Sequence, residues 1–182
     1  MYNTMVDKGF EPFYFVTRRG LKSAAAFHKV TLTKEEEDQL VAEWNKLDPY
    51  PDVIPGLKEI KKLGYTMGPL TNGDREMVRV GIVERFAAMG FQFDLYLTAD
   101  LFGKNKPHQD IYVKSIAKAG LQPDEVIYVC RGQFDIVGAK AAGLKVMWVN
   151  RAKEPLESHG YTPDWEVADF FEVAKILAKE RP

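Results

Sequence analysis

The chain has 182 residues, enough for one sizeable hydrophobic core and a small accessory lobe. Its 25 Lys+Arg nearly cancel its 26 Asp+Glu, so charge gives no footing to nucleic acid or an anionic membrane as partner. The one cysteine, Cys130, excludes an internal disulfide and fits a reducing cytoplasm, and no apolar run reaches the ~20 residues of a membrane span.

The opening Met1-Tyr-Asn-Thr-Met-Val-Asp-Lys8 lacks the basic-then-apolar pattern of a signal peptide. From Gly9 to His28 the chain is rich in aromatic residues (Phe10, Phe13, Tyr14, Phe15) and ends in Ala24-Ala25-Ala26, which reads as helix. Thr33-Lys34-Glu35-Glu36 has the form of a capping box and opens a second helix, its acidic first turn favoured by the helix dipole. Behind it Leu40, Trp44 and Leu47 recur at helical spacing and are expected to form one buried stripe. Pro49-Tyr50-Pro51-Asp52 breaks this pattern, dividing the chain into a helical cap over residues 1–50 and an α/β unit over 51–182.

Beyond that boundary two periodicities alternate. Helices are predicted from Leu57, Ile60 and Leu63, from Val78, Ile82, Phe86 and Met89, and over Ile111–Ala119 and Ile136–Ala142, each followed by a glycine stop. Tyr65–Leu70, Phe93–Thr98, Val126–Cys130 and Lys145–Val149 read as strands. Asp169-Phe170-Phe171-Glu172 starts a terminal helix with Phe170, Val173 and Leu177 inward. Short apolar strands alternating with helices mean an α/β fold, built of right-handed βαβ units around a parallel sheet flanked by helices.

Three polar clusters follow strand-like runs: Thr71-Asn72-Gly73-Asp74, Lys106-Pro107 and Asp135. In an open parallel sheet the carboxyl ends of neighbouring strands share one crevice, so these groups should meet. Thr71 and Asn72 can donate hydrogen bonds to an anionic group; they equally suit a turn and a helix N-cap. Lys106 can keep a carboxylate ionised or neutralise developing negative charge; beside Lys104 and Asn105 it also reads as surface. Asp135 can orient a lysine or a water, or simply sit well at a helix N-terminus. Tyr112 reads as core, Cys130 as a small buried thiol, and His28, His108 and His159 show no metal-ligand spacing. Neither a metal nor another cofactor is expected.

Taken in order, a hydroxyl/amide pair, then Lys-Pro, then an acid, each one βα unit apart, are far more specific than any one alone. Here the chain resembles the haloacid dehalogenase superfamily, and most closely the L-2-haloacid dehalogenases. The likeness is carried by Pro49-Tyr-Pro-Asp-Val-Ile-Pro55, Leu70-Thr-Asn-Gly-Asp74, Lys106-Pro-His-Gln-Asp-Ile-Tyr112, Phe134-Asp-Ile-Val-Gly-Ala139, Trp148-Val-Asn-Arg151 and Thr162-Pro-Asp-Trp-Glu-Val167. It runs over essentially the whole chain, beginning inside a partial N-terminal helical cap. It implies a Rossmann-like core and hydrolytic cleavage of a carbon–halogen bond in short 2-haloacids, through an ester on a first-strand aspartate. By resemblance Lys106, Asp135 and Thr71 are the catalytic residues, and Thr71, Asn72, Tyr112, Phe13 and Phe134 bind the substrate, a small 2-haloacid or similar short carboxylate.

The chain also departs from the family pattern. It has no Asp-x-x-Gly-Thr-Leu-like motif and lacks the cap's early arginine; Cys130, Gly132 and Phe134 replace the usual Ser, Asn and Trp. A strand is therefore expected to be missing from mid-sheet, between residues 65–70 and 126–130, with little or no turnover as the consequence. Asp135 and Asp100 do not occupy the nucleophile's position. Three arrangements follow: the flanking strands pair directly, a second chain covers the gap, or these residues are a fragment of a longer product. The aromatic N-terminal lobe favours a homo-oligomer, a dimer. Two competing readings are a non-catalytic relative kept for binding or oligomerisation, and a phosphatase. The phosphatases place two acids four residues apart to hold Mg²⁺, where this chain has Arg131 and Asp135.

Overall fold

The computed structural model describes residues 9–180, so the reading of Met1 to Lys8 lies outside the described residues. The first elements are α1 (Phe13–Phe27), α2 (Lys34–Ala42) and a 3₁₀ turn (Glu43–Lys46). The capping box at Thr33 forms as predicted: the Thr33 hydroxyl oxygen accepts the Glu36 N–H at 3.2 Å, and the Glu36 carboxylate accepts the Thr33 N–H at 2.8 Å. Arg18 on α1 ties the two helices through Glu37 at 3.0 Å and through Asp38.

The expected buried stripe does not form. Leu40, Trp44 and Leu47 are 45%, 51% and 60% exposed, and Val41 is the residue of α2 that is buried. Leu40 still lies on the α-helix and simply sits on its outer side; for Trp44 and Leu47 the reason is a change of period. The α-helix stops at Ala42, and the 3₁₀ turn advances by 3.0 residues per turn, carrying Trp44 and Leu47 off the face that 3.6-residue spacing assigned them.

After Asp52 come α3 (Val53–Lys62) and β1 (Leu70–Thr71), and then one helical run made of α4 (Arg75–Val78), a π segment (Arg79–Glu84) and α5 (Arg85–Ala88). The π segment interrupts the 3.6 period, so Val78 is buried as predicted while Met89 is exposed. The remaining elements are β2 (Leu97–Thr98), α6 (Ala99–Phe102), α7 (Gln109–Ala119), β3 (Ile127–Cys130), α8 (Gln133–Ala141), β4 (Lys145–Val149), β5 (Trp165–Val167) and α9 (Phe170–Leu177). The α/β class, with parallel sheets flanked by helices, is the one expected.

Among the described residues strand pairing is parallel, in two sheets of order β1-β2 and β3-β4-β5. Among the described residues β1 and β3 share no ladder, so direct pairing of the two predicted flanking strands is not what the chain adopts. Strands β1 and β2 are shorter than their apolar runs. Pro69 has no N–H to donate, and Met67 exchanges its backbone bonds with Asp94 (its N–H to a carboxylate oxygen, its carbonyl to the Asp94 N–H), so the ladder starts only at Leu70.

The three-stranded sheet is covered on both faces. Along β4, Val146 and Trp148 face Ile111, Tyr112, Ile116, Ile136 and Ala139 of α7 and α8, while Met147 and Val149 face Ile60, Val173 and Leu177 of α3 and α9. Phe10 and Leu70 also pack on the first cluster, so one core joins the two sheets. The terminal helix starts as predicted, with the Asp169 carboxylate accepting the Glu172 N–H at 2.9 Å.

Candidate active site

Lys106 stands on the loop between α6 and α7 and is fixed at both ends. At its backbone the Asn72 side chain makes a reciprocal pair: the amide oxygen accepts the Lys106 N–H at 2.6 Å, and the amide nitrogen donates to the Lys106 carbonyl at 3.2 Å. The residue after β1 thereby acts as a one-residue strand neighbour for the Lys106 peptide, and the Lys106–Pro107 bond beside it is cis. At the other end the ammonium lies 3.2 Å and 3.3 Å from the two carboxylate oxygens of Asp135, and 3.1 Å from the Tyr128 hydroxyl.

Asp135, in the first turn of α8, is the centre of this network. It accepts the Tyr112 hydroxyl at 2.7 Å and the Tyr128 hydroxyl at 3.3 Å, besides the lysine. The lysine and aspartate side chains are 12% and 8% exposed, and such burial is tolerable because each charge finds a partner and several donors or acceptors. The two phenol rings meet edge to face, centroids 5.2 Å apart. Burial first, and then the negative charge of Asp135, push both phenols well above their ordinary range, so they are neutral donors at physiological pH.

Cys130 ends β3 on the same face. Burial, with a smaller push from Asp135 that Lys106 opposes, raises its thiol to about 12, so it stays protonated and unreactive. Gly138 makes the packing of the network feasible. A side chain there would collide with the Tyr112 ring and the Pro107 carbonyl, so only glycine lets α8 approach this closely.

Thr71 sits at the end of β1, its hydroxyl oxygen accepting the Gly73 N–H at 3.0 Å in a tight turn that leads into the Asp74 cap of α4. Thr71 and Asn72 share that turn, and Asn72 reaches Lys106. Phe134 lies with its ring over Gly132, within 2.7 Å of where a Cβ would stand, so the family's asparagine there would require the ring to move. Phe13 packs edge to face on Trp44 at 6.3 Å, whereas its neighbours Tyr14 and Phe15 line a cleft of about 470 Å³ with Val41, Asn45, Asp74 and Met77. Asp100 pairs with Arg75 at 2.9 Å. The structure thus gathers Lys106, Asp135, Tyr112 and Asn72 into one hydrogen-bonded group, with Thr71 beside it in sequence; Phe13 and Phe134 are not members of that group.

Two features escaped the sequence reading. Tyr128 lies two residues before Cys130 and so points to the same face of β3, a period-two signal that was available. The other is the partner of the Asn72 side chain, the Lys106 backbone 34 residues on, a contact that bears on the loop's position and leaves the expected role of Asn72 in holding a substrate as it stood.

Comparison with known proteins places the chain in a family. Residues 10–149 match the family model described as haloacid dehalogenase-like hydrolase. A curated relative, (S)-2-haloacid dehalogenase 4A of Burkholderia cepacia, is 27% identical over 170 residues, covering 93% of this chain and 73% of its own length. The (S)-2-haloacid dehalogenase of Pseudomonas sp. strain YL is 29% identical over 132 residues, with 72% of this chain and 56% of its own length covered. A glyceraldehyde 3-phosphate phosphatase of Methanopyrus kandleri is 30% identical over 147 residues, covering 74% of this chain and 60% of that protein. Among solved structures, a dehalogenase with an intermediate complex superposes with a TM-score of 0.89 at 26% identity, covering 98% of this chain and 78% of the other. The chain therefore spans between about half and three quarters of the length of these curated relatives.

Proposed function

The chain belongs to the haloacid dehalogenase-like hydrolases, and on that premise we propose that its site recognises short 2-halocarboxylates and is built for hydrolytic displacement of their halide. One observation carries this reading: Lys106, Asp135 and Tyr112 meet in a buried network, with Thr71 and Asn72 brought to it by the end of β1. In this reading the Thr71 hydroxyl, whose oxygen accepts the Gly73 N–H and whose proton is left to donate, holds the substrate carboxylate together with Asn72, and the Lys106 ammonium stabilises negative charge on a nucleophilic carboxylate. Phe134, and Phe13 from the cap over residues 1–50, supply apolar lining. Asp135 already serves an ammonium and two phenols, which suits it to orient Lys106 and not to attack carbon. Turnover by residues 1–182 alone is accordingly low in this proposal, while binding persists. The single buried thiol supports a cytoplasmic location, and the exposed Trp44, Leu40 and Leu47 support self-association as a dimer.

A phosphatase is the second reading, since one relative carries that name. The donor set here does not fit the Mg²⁺ such an enzyme would hold: Arg131 stands where an acid would be needed, and an ammonium lies 3.2 Å from the Asp135 carboxylate. The test is a paired assay on the chain and its Lys106→Ala variant. Binding of L-2-chloropropionate that vanishes in the variant, with slow halide release, is expected. Mg²⁺-dependent release of phosphate from glyceraldehyde 3-phosphate would overturn the reading in favour of the phosphatase. Equally, rapid Lys106-dependent halide release would remove the expectation of low turnover.

A further inference from the structure

Charge-assisted N–H···O bonds settle at about 2.7–2.9 Å when nothing competes. The Lys106 ammonium stands farther than that from both Asp135 oxygens, at 3.2 Å and 3.3 Å. Two neighbours account for the distance. The Asp135 oxygen nearer the lysine already accepts the Tyr112 hydroxyl at 2.7 Å, and the ammonium is drawn aside to the Tyr128 oxygen at 3.1 Å. Tyr128 also donates its hydroxyl proton in a hydrogen bond to Asp135 at 3.3 Å, so this one hydroxyl accepts from the cation and donates to the anion of the same pair. Its ring flanks the ammonium, 5.9 Å from centroid to nitrogen. An ammonium has three N–H donors. One goes to Tyr128 and one straddles the carboxylate, which leaves the third.

We propose that Tyr128 is a positioning residue: its hydroxyl wedges between Lys106 and Asp135, holds the ammonium off full contact with the carboxylate, and keeps the third N–H turned to the crevice at the strand ends. Without it the pair closes, and the cation that the site needs is neutralised by its own neighbour. Tyr112 does a different job, because it touches Asp135 and makes no bond to the lysine. The two phenols on this carboxylate differ in contact with the ammonium, and that difference is what an experiment can read. The inference rests on Lys106 being the working cation of the proposed site.

The test follows the ammonium of Lys106 by ¹⁵N NMR in the full chain labelled at lysine, the signal being assigned by its loss in Lys106→Arg. Tyr128→Phe should move that resonance and, because the pair closes, slow its hydrogen exchange with water by about fivefold, the factor by which a bond to a charged partner outweighs one to a neutral phenol; faster exchange would mean that the pair does not close, against the proposal. Tyr112→Phe should leave exchange within about twofold, because the bond it removes is to Asp135. Equal effects of the two variants, or none from Tyr128→Phe, would overturn the proposal. Should Tyr128→Phe fail to fold, 3-fluorotyrosine installed at position 128 keeps the shape and makes the hydroxyl a poorer acceptor; an unmoved Lys106 resonance there overturns the proposal as well. Halide release or ligand binding indifferent to Lys106 would sink the functional reading separately, since the exchange contrast needs neither.

Discussion

The helices before Pro49 and the three-stranded sheet after Val126 both carry apolar residues in a periodic or continuous run, yet they differ in how much neighbour each has. Strand β4 is buried on both faces, against α7 and α8 on one side and α3 and α9 on the other. No residue of α1 is buried, and the largest apolar side chains behind α2 face outward. The contrast teaches that a periodic apolar pattern locates a buried face only where there is a second layer for it to meet. In the sheet the layer exists, so pattern and burial agree. In the N-terminal helices they part.

Mutations that break or sharpen this contrast should fall in a definite order. The largest effect is expected from Asp135→Ala, which strands the Lys106 ammonium and two phenols in a buried site; a loss of roughly 3–5 kcal/mol in urea unfolding is expected. Ile136→Ala, next to it in the doubly covered core, removes a fully buried side chain and should cost about 2–5 kcal/mol by the same measurement. A smaller effect belongs to the clamp where residues 49–52 meet the sheet. Asp52 binds Arg151 bidentately at 2.7 Å and 2.8 Å and accepts the Phe170 N–H at 2.9 Å, so Asp52→Asn should cost about 2 kcal/mol at neutral pH.

That clamp also predicts a pH dependence. Burial pushes the Asp52 carboxyl up, but the Arg151 guanidinium and the Phe170 N–H together outweigh it and leave the group below its ordinary range in the folded chain. The unfolded state therefore takes up the proton first. The stabilisation is complete above the usual carboxylate value of about 4 and is lost as pH falls from there through the depressed folded value. Chemical denaturation across pH 7 to 3 should show the wild type converging on Asp52→Asn at the acid end; parallel curves would contradict the assignment. At the small end of the series, Trp44→Ala should change stability by no more than about 0.5 kcal/mol in a dilute, monomeric sample. A loss near that of Ile136→Ala would mean that the N-terminal face is covered in solution.

Much of the fold was legible in the sequence for reasons these residues make plain. Lys145–Val149 keeps its predicted bounds because a continuous apolar run with helices on both sides has no other use. Tyr65–Leu70 shrinks to Leu70–Thr71 because Pro69, whose carbonyl accepts the Leu97 N–H, has no N–H of its own to give a ladder, a fact present in the sequence but outvoted by hydrophobicity. Trp165–Val167 was missed as a strand, being three residues long at the end of an irregular stretch. In the site, the order of polar clusters pointed to Lys106 and Asp135, and both are there. The partners of Asn72 and Tyr128 depend on where a carbonyl and a hydroxyl end up in space, and no local pattern carries that.

The central claim is that the strand ends around Lys106 form a carboxylate-recognising site. An NMR titration of L-2-chloropropionate into the ¹⁵N-labelled chain tests it most directly. The account predicts saturable shifts centred on Thr71, Asn72, Gly73 and Lys106 that disappear in Lys106→Ala. Shifts centred on the cleft lined by Tyr14, Phe15 and Val41, or shifts that survive Lys106→Ala unchanged, would contradict it.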